Sequence, residues 1–210
     1  MSEPAPFIEV FADVGCPFTH LGLRRLTAHR ASIGRDDVRL WVRAWPLEIV
    51  NGKPLDADFI AEEVDDIRRQ VDPHGFVEFD QSNFPATFVP AMTLAAIAYE
   101  RSLDAGEAVS LELRQLLFEQ GVDVASPDVL AAVAGRHDLR ITPGELDDPT
   151  RVMADHAEGV ARGVLGSPHF FTATAGFFCP SLDIHRDAEG HLHIELDPAG
   201  LDEFASSAFA

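Results

Sequence analysis

The tightest constraint on this chain is a hydrophobic period that changes twice. Residues 7–12 (FIEVFA) are apolar and rich in β-formers, which reads as a short strand. A helical pattern follows over 19–32, with Leu21, Leu23, Leu26 and Ile33 on its apolar face and Gly34 and Asp36 ending it. Residues 38–45 (VRLWVRAW) alternate apolar and polar, and Pro46 stops them. Strand, helix and strand in that order imply two parallel strands joined by a crossover. From residue 56 to residue 163 the period is helical, predicting helices over 57–71, 90–103, 107–120, 127–137 and 149–162. Ser126-Pro127 reads as a cap and first helical residue, and Gly121 and Gly135 read as stops. Residues 72–90, rich in Pro, Gly, Asp and Phe, read as a long ordered loop. The β pattern then returns over 169–173 and 176–184, flanking Thr174-Ala175, with a second turn at 187–190 between 182–185 and 191–196. A last helix is expected over 198–208, capped by Asp197. The predicted class is α/β: a small mixed sheet with helices on both faces, split by a helical block.

Composition narrows the function classes. The 210 residues are 46% hydrophobic, enough for one large domain or one domain with an insertion, and too apolar for a disordered chain. Thirty-five acidic residues against 16 Lys and Arg give a net charge of −19. A field of that sign repels phosphate backbones and anionic membrane surfaces, so neither nucleic acid nor membrane is an expected partner. The start, MSEPAPFIEVFADVG, has no basic segment followed by an apolar run, and no apolar stretch is long enough to span a membrane. Two cysteines cannot build a disulfide scaffold. A cytoplasmic location, where thiols are kept reduced, is expected.

The chemistry concentrates at Asp13-Val14-Gly15-Cys16-Pro17-Phe18-Thr19-His20. Cys16 falls directly after a strand and directly before a helix, with Pro17 suited to the first turn. Unpaired amides and the helix dipole favour negative charge there, so a lowered thiol pKa and a nucleophilic thiolate are expected. The competing reading is an inert buried cysteine. A second motif, Gly163-Val164-Leu165-Gly166-Ser167-Pro168-His169-Phe170, sits between a helix and a strand.

Together, Cys-Pro-x-x after the first strand and Gly-Val-x-Gly-x-Pro before the third resemble the DsbA family. The similarity extends to FrnE-like proteins and to the 2-hydroxychromene-2-carboxylate isomerase and kappa-class glutathione transferase group. Trp45-Pro46-Leu47-Glu48 resembles the end of that family's second strand. The resemblance implies a thioredoxin-like fold with a helical insertion, the thioredoxin-like part being 1–55 and 150–210 and the insertion 56–149. It also implies that Pro168 is cis and faces Cys16, and that Ser167 offers its backbone to an extended substrate or to glutathione. On this reading Cys16, Thr19 and Pro168 are the catalytic candidates. Pro17, Phe18, His20, Ser167 and His169 are the substrate-binding candidates.

The chain departs from the dithiol members at Thr19, which stands where they carry a second Cys. A Thr hydroxyl can hydrogen-bond a thiolate but cannot form a disulfide. A mixed disulfide on Cys16 then needs an outside thiol such as glutathione, or Cys179 as a second thiol on the returning strand, provided their Cα atoms come within about 7 Å. The expected enzyme is a thiol–disulfide oxidoreductase with no bound cofactor, glutathione as cosubstrate and a protein or small-molecule disulfide as partner. Two alternatives stay open. One is a glutathione-dependent isomerase or transferase acting on a small aromatic or electrophilic compound, although those relatives usually carry Ser at the position of Cys16. The other is a redox-inert peptide-binding member. The oligomeric state is open, a homodimer included.

Other residues have plainer readings. His191 and His193, alternating on a strand, read as a polar face and not as a metal site. Asp13 reads as a turn or cap residue. Phe76, Phe79, Phe84 and Phe88 read as packing between the loop and the core, with an apolar groove over Cys16 as the alternative.

Overall fold

The computed structural model describes residues 6–209. Strand β1 (Phe7–Ala12) is central, with five of its six residues buried. It runs parallel to β2 (Arg39–Ala44) and antiparallel to β3 (His169–Phe171), which pairs antiparallel with β4 (Gly176–Phe178). The sheet order is β2-β1-β3-β4, the mixed sheet expected. Helix α1 (Pro17–Ser32) makes the crossover and begins at Pro17, two residues earlier than the apolar pattern alone predicts.

The two faces of β1 take different layers. Ile8, Val10 and Ala12 share a core with Leu23 and Leu26 of α1 and with Phe204 of the C-terminal helix α9 (Pro198–Ala208). On the other face a Cβ placed on Gly159 of α8 (Thr150–Ala161) would fall 3.1 Å from Phe11 and 2.6 Å from Trp45. Only a glycine lets that helix approach so closely.

The helical block holds α3 (Ala57–Gln70), α4 (Val89–Arg101), α5 (Leu103–Gln120) and α6 (Pro127–Arg136). Two one-turn helices, α2 (Leu47–Val50) and α7 (Pro143–Leu146), are too short to show a period and are absent from the sequence reading. Helix α5 starts at Leu103, four residues early, because the Ser102 hydroxyl accepts from Ala105 N and caps it. The block and the sheet share one core: Val14, Leu21 and Ala44 cluster with Leu94, Leu113, Phe118 and Leu130.

The block also finishes the sheet. β2 is an edge strand, and side chains meet its outward amides in turn. Leu40 N donates to Glu107, Val42 N to the Tyr99 hydroxyl at 2.9 Å, and Ala44 N to Asp155 at 2.9 Å. An edge occupied in this way cannot take another strand.

Past β4 the expected long strand over 176–184 breaks. Cys179 has φ +47° and the chain turns, so β5 (Leu182–Arg186) and β6 (Leu192–Leu196) form a separate two-stranded sheet. The Gln70 side chain of α3 bonds β6 at both Leu192 O and Ile194 N, each at 2.9 Å, tying that hairpin to the block.

Candidate active site

Cys16 is the N-cap of α1, in extended conformation (φ −88°, ψ 115°), and Pro17 opens the first turn. The geometry follows from β1 ending at Ala12 and a tight bend whose donors are satisfied by Asp13. The Asp13 carboxylate accepts from Gly15 N at 2.7 Å and from Leu47 N at 2.7 Å, binding the Cys16 loop to the start of α2. The turn-forming reading of Asp13 therefore describes its contacts. Burial pushes its carboxyl up to about 6, against the two amide bonds and the nearby Arg114 charge.

The second motif lies against the first. The Ser167–Pro168 peptide is cis. The Cys16 thiol donates to Ser167 O at 3.3 Å, Asp13 N donates to Ser167 Oγ at 2.9 Å, and Thr19 Oγ1 lies 2.7 Å from the same hydroxyl. One serine thus bridges the strand end, the Cys16 loop and the helix. Thr19 is fully buried.

The thiol itself differs from the sequence expectation. Cys16 is only 5% exposed, and burial holds its pKa above the ordinary value instead of below it. Thr19, through its hydroxyl and its amide, and the Ser167 hydroxyl pull the value down, while the Glu63 charge raises it. Desolvation outweighs the helix terminus because the low-dielectric surroundings disfavour any anion.

Cys16 opens on a cleft of about 400 Å3 with Pro17, Phe18 and Ser167 on one side. The opposite wall comes from the α2–α3 connection and from α3: Asn51, Lys53, Leu55, Phe59, Ile60 and Glu63. Sequence reasoning missed this wall. Its signal was present for Glu63, which lies three residues after Ile60 and four before Ile67 on the buried stripe of α3. Arg114 of α5 was also missed. It is fully buried, donates to Asp13 O at 3.1 Å and to Ser110, and burial lowers its pKa to about 10.

The two histidine candidates are drawn into packing. His20 is buried and bonds Glu119 of α5 at 2.7 Å, with its ring stacked on Phe118 and edge-on to Phe76. Helical spacing turns it away from the cleft wall that carries Phe18. His169 accepts from Leu165 N at 3.0 Å and stacks on Phe171, which fixes the loop before β3. Neither lines the cleft. The loop phenylalanines pack: Phe76 and Phe88 are buried, and Phe79 stacks on Phe118. Cys16 and Cys179 are both free and buried. Cys179 N donates to Pro168 O at 3.1 Å, and burial, with the Cys16 charge second, pushes its thiol up to about 12. His193 and His191 both contact Asp187, and no cluster of three metal-ligating side chains occurs among the described residues. No helix among them is long and apolar enough to cross a membrane.

A buried thiol at a helix start, packed against a cis-proline loop at one end of a mixed sheet, defines a thioredoxin-fold protein of the DsbA kind. The family model for the DSBA-like thioredoxin domain matches residues 7–186, and the chain belongs to that family. No curated protein sequence matches significantly. Among solved structures the chain is similar to a 2-hydroxychromene-2-carboxylate isomerase, with TM-score 0.59 and 16% identity over 82% of this chain and 88% of that one. It is also similar to the cytosolic disulfide reductase DsbM from Pseudomonas aeruginosa, with TM-score 0.57 and 14% identity over 90% of this chain and 88% of that one. The DsbM structure with GSH matches with TM-score 0.57 and 16% identity, covering 81% and 88%.

Proposed function

We propose that the protein is a thiol–disulfide oxidoreductase in which Cys16 is the single reacting thiol of the C-P-F-T motif and glutathione or another soluble thiol resolves the intermediate. The observation that carries this reading is the placement of the Cys16 sulfur against Ser167 O, at the floor of an open cleft. Cys16, as thiolate, attacks one sulfur of a disulfide RS–SR′. The Cys16–SR bond forms as the S–S bond breaks, and R′S⁻ leaves with the electron pair. An outside thiolate R″S⁻ then attacks the Cys16 sulfur of that bond and expels RS⁻, and a second R″S⁻ attacks the outer sulfur of the new Cys16–SR″ bond, forming R″S–SR″ and freeing Cys16 as thiolate. The substrate disulfide is reduced and two outside thiols are oxidised.

Thr19 and Ser167 supply hydroxyls around the sulfur that favour its anion. Lys53, the one cation among the described residues lining the cleft, suits a substrate with carboxylates, and Phe18 and Phe59 suit its apolar parts. The GSH-bound disulfide reductase of similar fold is consistent with glutathione in this place.

The test is glutathione-dependent reduction of a small disulfide. Cys16→Ser is expected to abolish it and Cys179→Ser to retain it. Retained turnover in Cys16→Ser would remove the reading. The rate of Cys16 alkylation is expected to keep rising with pH beyond the free-thiol midpoint of about 8.5, as burial requires.

A further inference from the structure

The exchange reading leaves a proton unaccounted for. The resting Cys16 thiol carries one, and a departing aliphatic thiolate needs one. Among the residues lining the cleft with Cys16, Glu63 is the acidic side chain least exposed, at 13% of its surface, and it makes no hydrogen bond among the described residues. Its nearest opposite charge is Arg186 of β5, whose guanidinium stands 3.7 Å away, beyond hydrogen-bond length. Asp66 on the same helix, Lys53 and Asp56 of the preceding segment, and Cys16 across the cleft complete the charged and titratable groups around it. A largely buried carboxyl that lines the same cleft as Cys16, and whose ion-pair partner stands beyond hydrogen-bond length, can carry a proton.

We propose that Glu63 is the proton donor to the departing sulfur in the exchange reaction of Cys16. This rests on the exchange reading above. Before attack, Cys16 gives its proton to solvent and the Glu63 carboxylate takes one up from solvent, leaving a thiolate and a carboxylic acid. The thiolate attacks RS–SR′, the Cys16–SR bond forms, and the departing R′S⁻ takes the proton from Glu63. The net change is Cys16–SH plus RS–SR′ giving Cys16–SR plus R′SH, with the carboxylate restored. Burial supports the assignment by pushing the Glu63 carboxyl up to about 7, where it exchanges protons near neutral pH.

Two disulfides separate this role from a general electrostatic one. Glutathione disulfide releases a thiolate of high pKa that needs a proton. 5,5′-Dithiobis(2-nitrobenzoate) releases an aromatic thiolate of low pKa that does not. Glu63→Gln is expected to slow the single-turnover reaction with glutathione disulfide about tenfold or more, while the aromatic disulfide reacts within about threefold of the wild-type rate. Glu63→Asp, which keeps the proton, is expected to recover part of the loss, and circular dichroism checks that both variants are folded. An equal change with both disulfides, or no change with either, would overturn the proposal. The exchange reading fails separately if the wild type reacts with neither disulfide faster than a free thiol does.

Discussion

At the scale of single residues, the site turns on what Ser167, Thr19 and Asp13 do for one sulfur. Thr19 sits one helical turn beyond Cys16, on the same side of α1. Thr19→Cys is therefore expected to place a second thiol within bonding range. The variant should form an internal disulfide under oxidant and discharge a mixed disulfide without added glutathione, measured by mass spectrometry of the trapped species. Thr19→Val, which removes the hydroxyl and keeps the shape, should push the thiol pKa further up and slow alkylation near neutral pH by about tenfold, the worth of one hydrogen bond to a charged group. Cys16, Thr19, Ser167 and Pro168 were legible in the sequence because two local motifs carry them. Glu63 and Arg114 were not, since their placement depends on where α3 and α5 dock. The charge state of Cys16 was not legible either, since a helix terminus can be read from Cys-Pro but desolvation cannot.

At the scale of elements, close approach sets the positions. A Cβ on Gly15 would fall 2.4 Å from the Phe88 ring at the start of α4. Gly15→Ala is expected to displace either the Cys16 loop or that ring, costing about 1–3 kcal/mol in chemical denaturation and lowering exchange activity with it. The buried pair Arg30–Glu107 (2.6 Å) joins α1 to α5, and the same carboxylate receives Leu40 N of β2. Glu107→Ala should destabilise the fold by about 3–5 kcal/mol, because it strands a buried guanidinium and a strand amide together. Long periodic elements such as α3 and β2 were read within a residue or two. The break at Cys179 was missed because an apolar run does not announce a residue with positive φ.

For the whole molecule, buried titratable groups of both kinds set how stability responds to pH. Asp13 and Glu63 have carboxyls raised to about 6 and about 7, so between about 4 and 7 the folded protein holds protons that the unfolded chain has released. Their contribution falls as pH rises through that window. His20 and His169 are held below the ordinary imidazole value, so their contribution is lost as pH falls below about 6.5. The Glu63→Gln variant isolates one contribution. Its thermal midpoint relative to wild type should climb as pH goes from about 5 to about 8, and a difference independent of pH would contradict the burial of Glu63. The split architecture was legible from the two changes of period, whereas the shared core between sheet and block depends on contacts distant in sequence.

The side chains that occupy the β2 rim have a directional consequence. With Glu107, Tyr99 and Asp155 already spending that strand's outward amides, a guest polypeptide seeking backbone partners on the main sheet meets a blocked flank there. Among the described residues the opposite border, β4, pairs only with β3, and it ends beside Cys179 and the Pro168 bend. A polypeptide that extends the main sheet is thus left the β4 margin, beside Cys179 and the Pro168 bend.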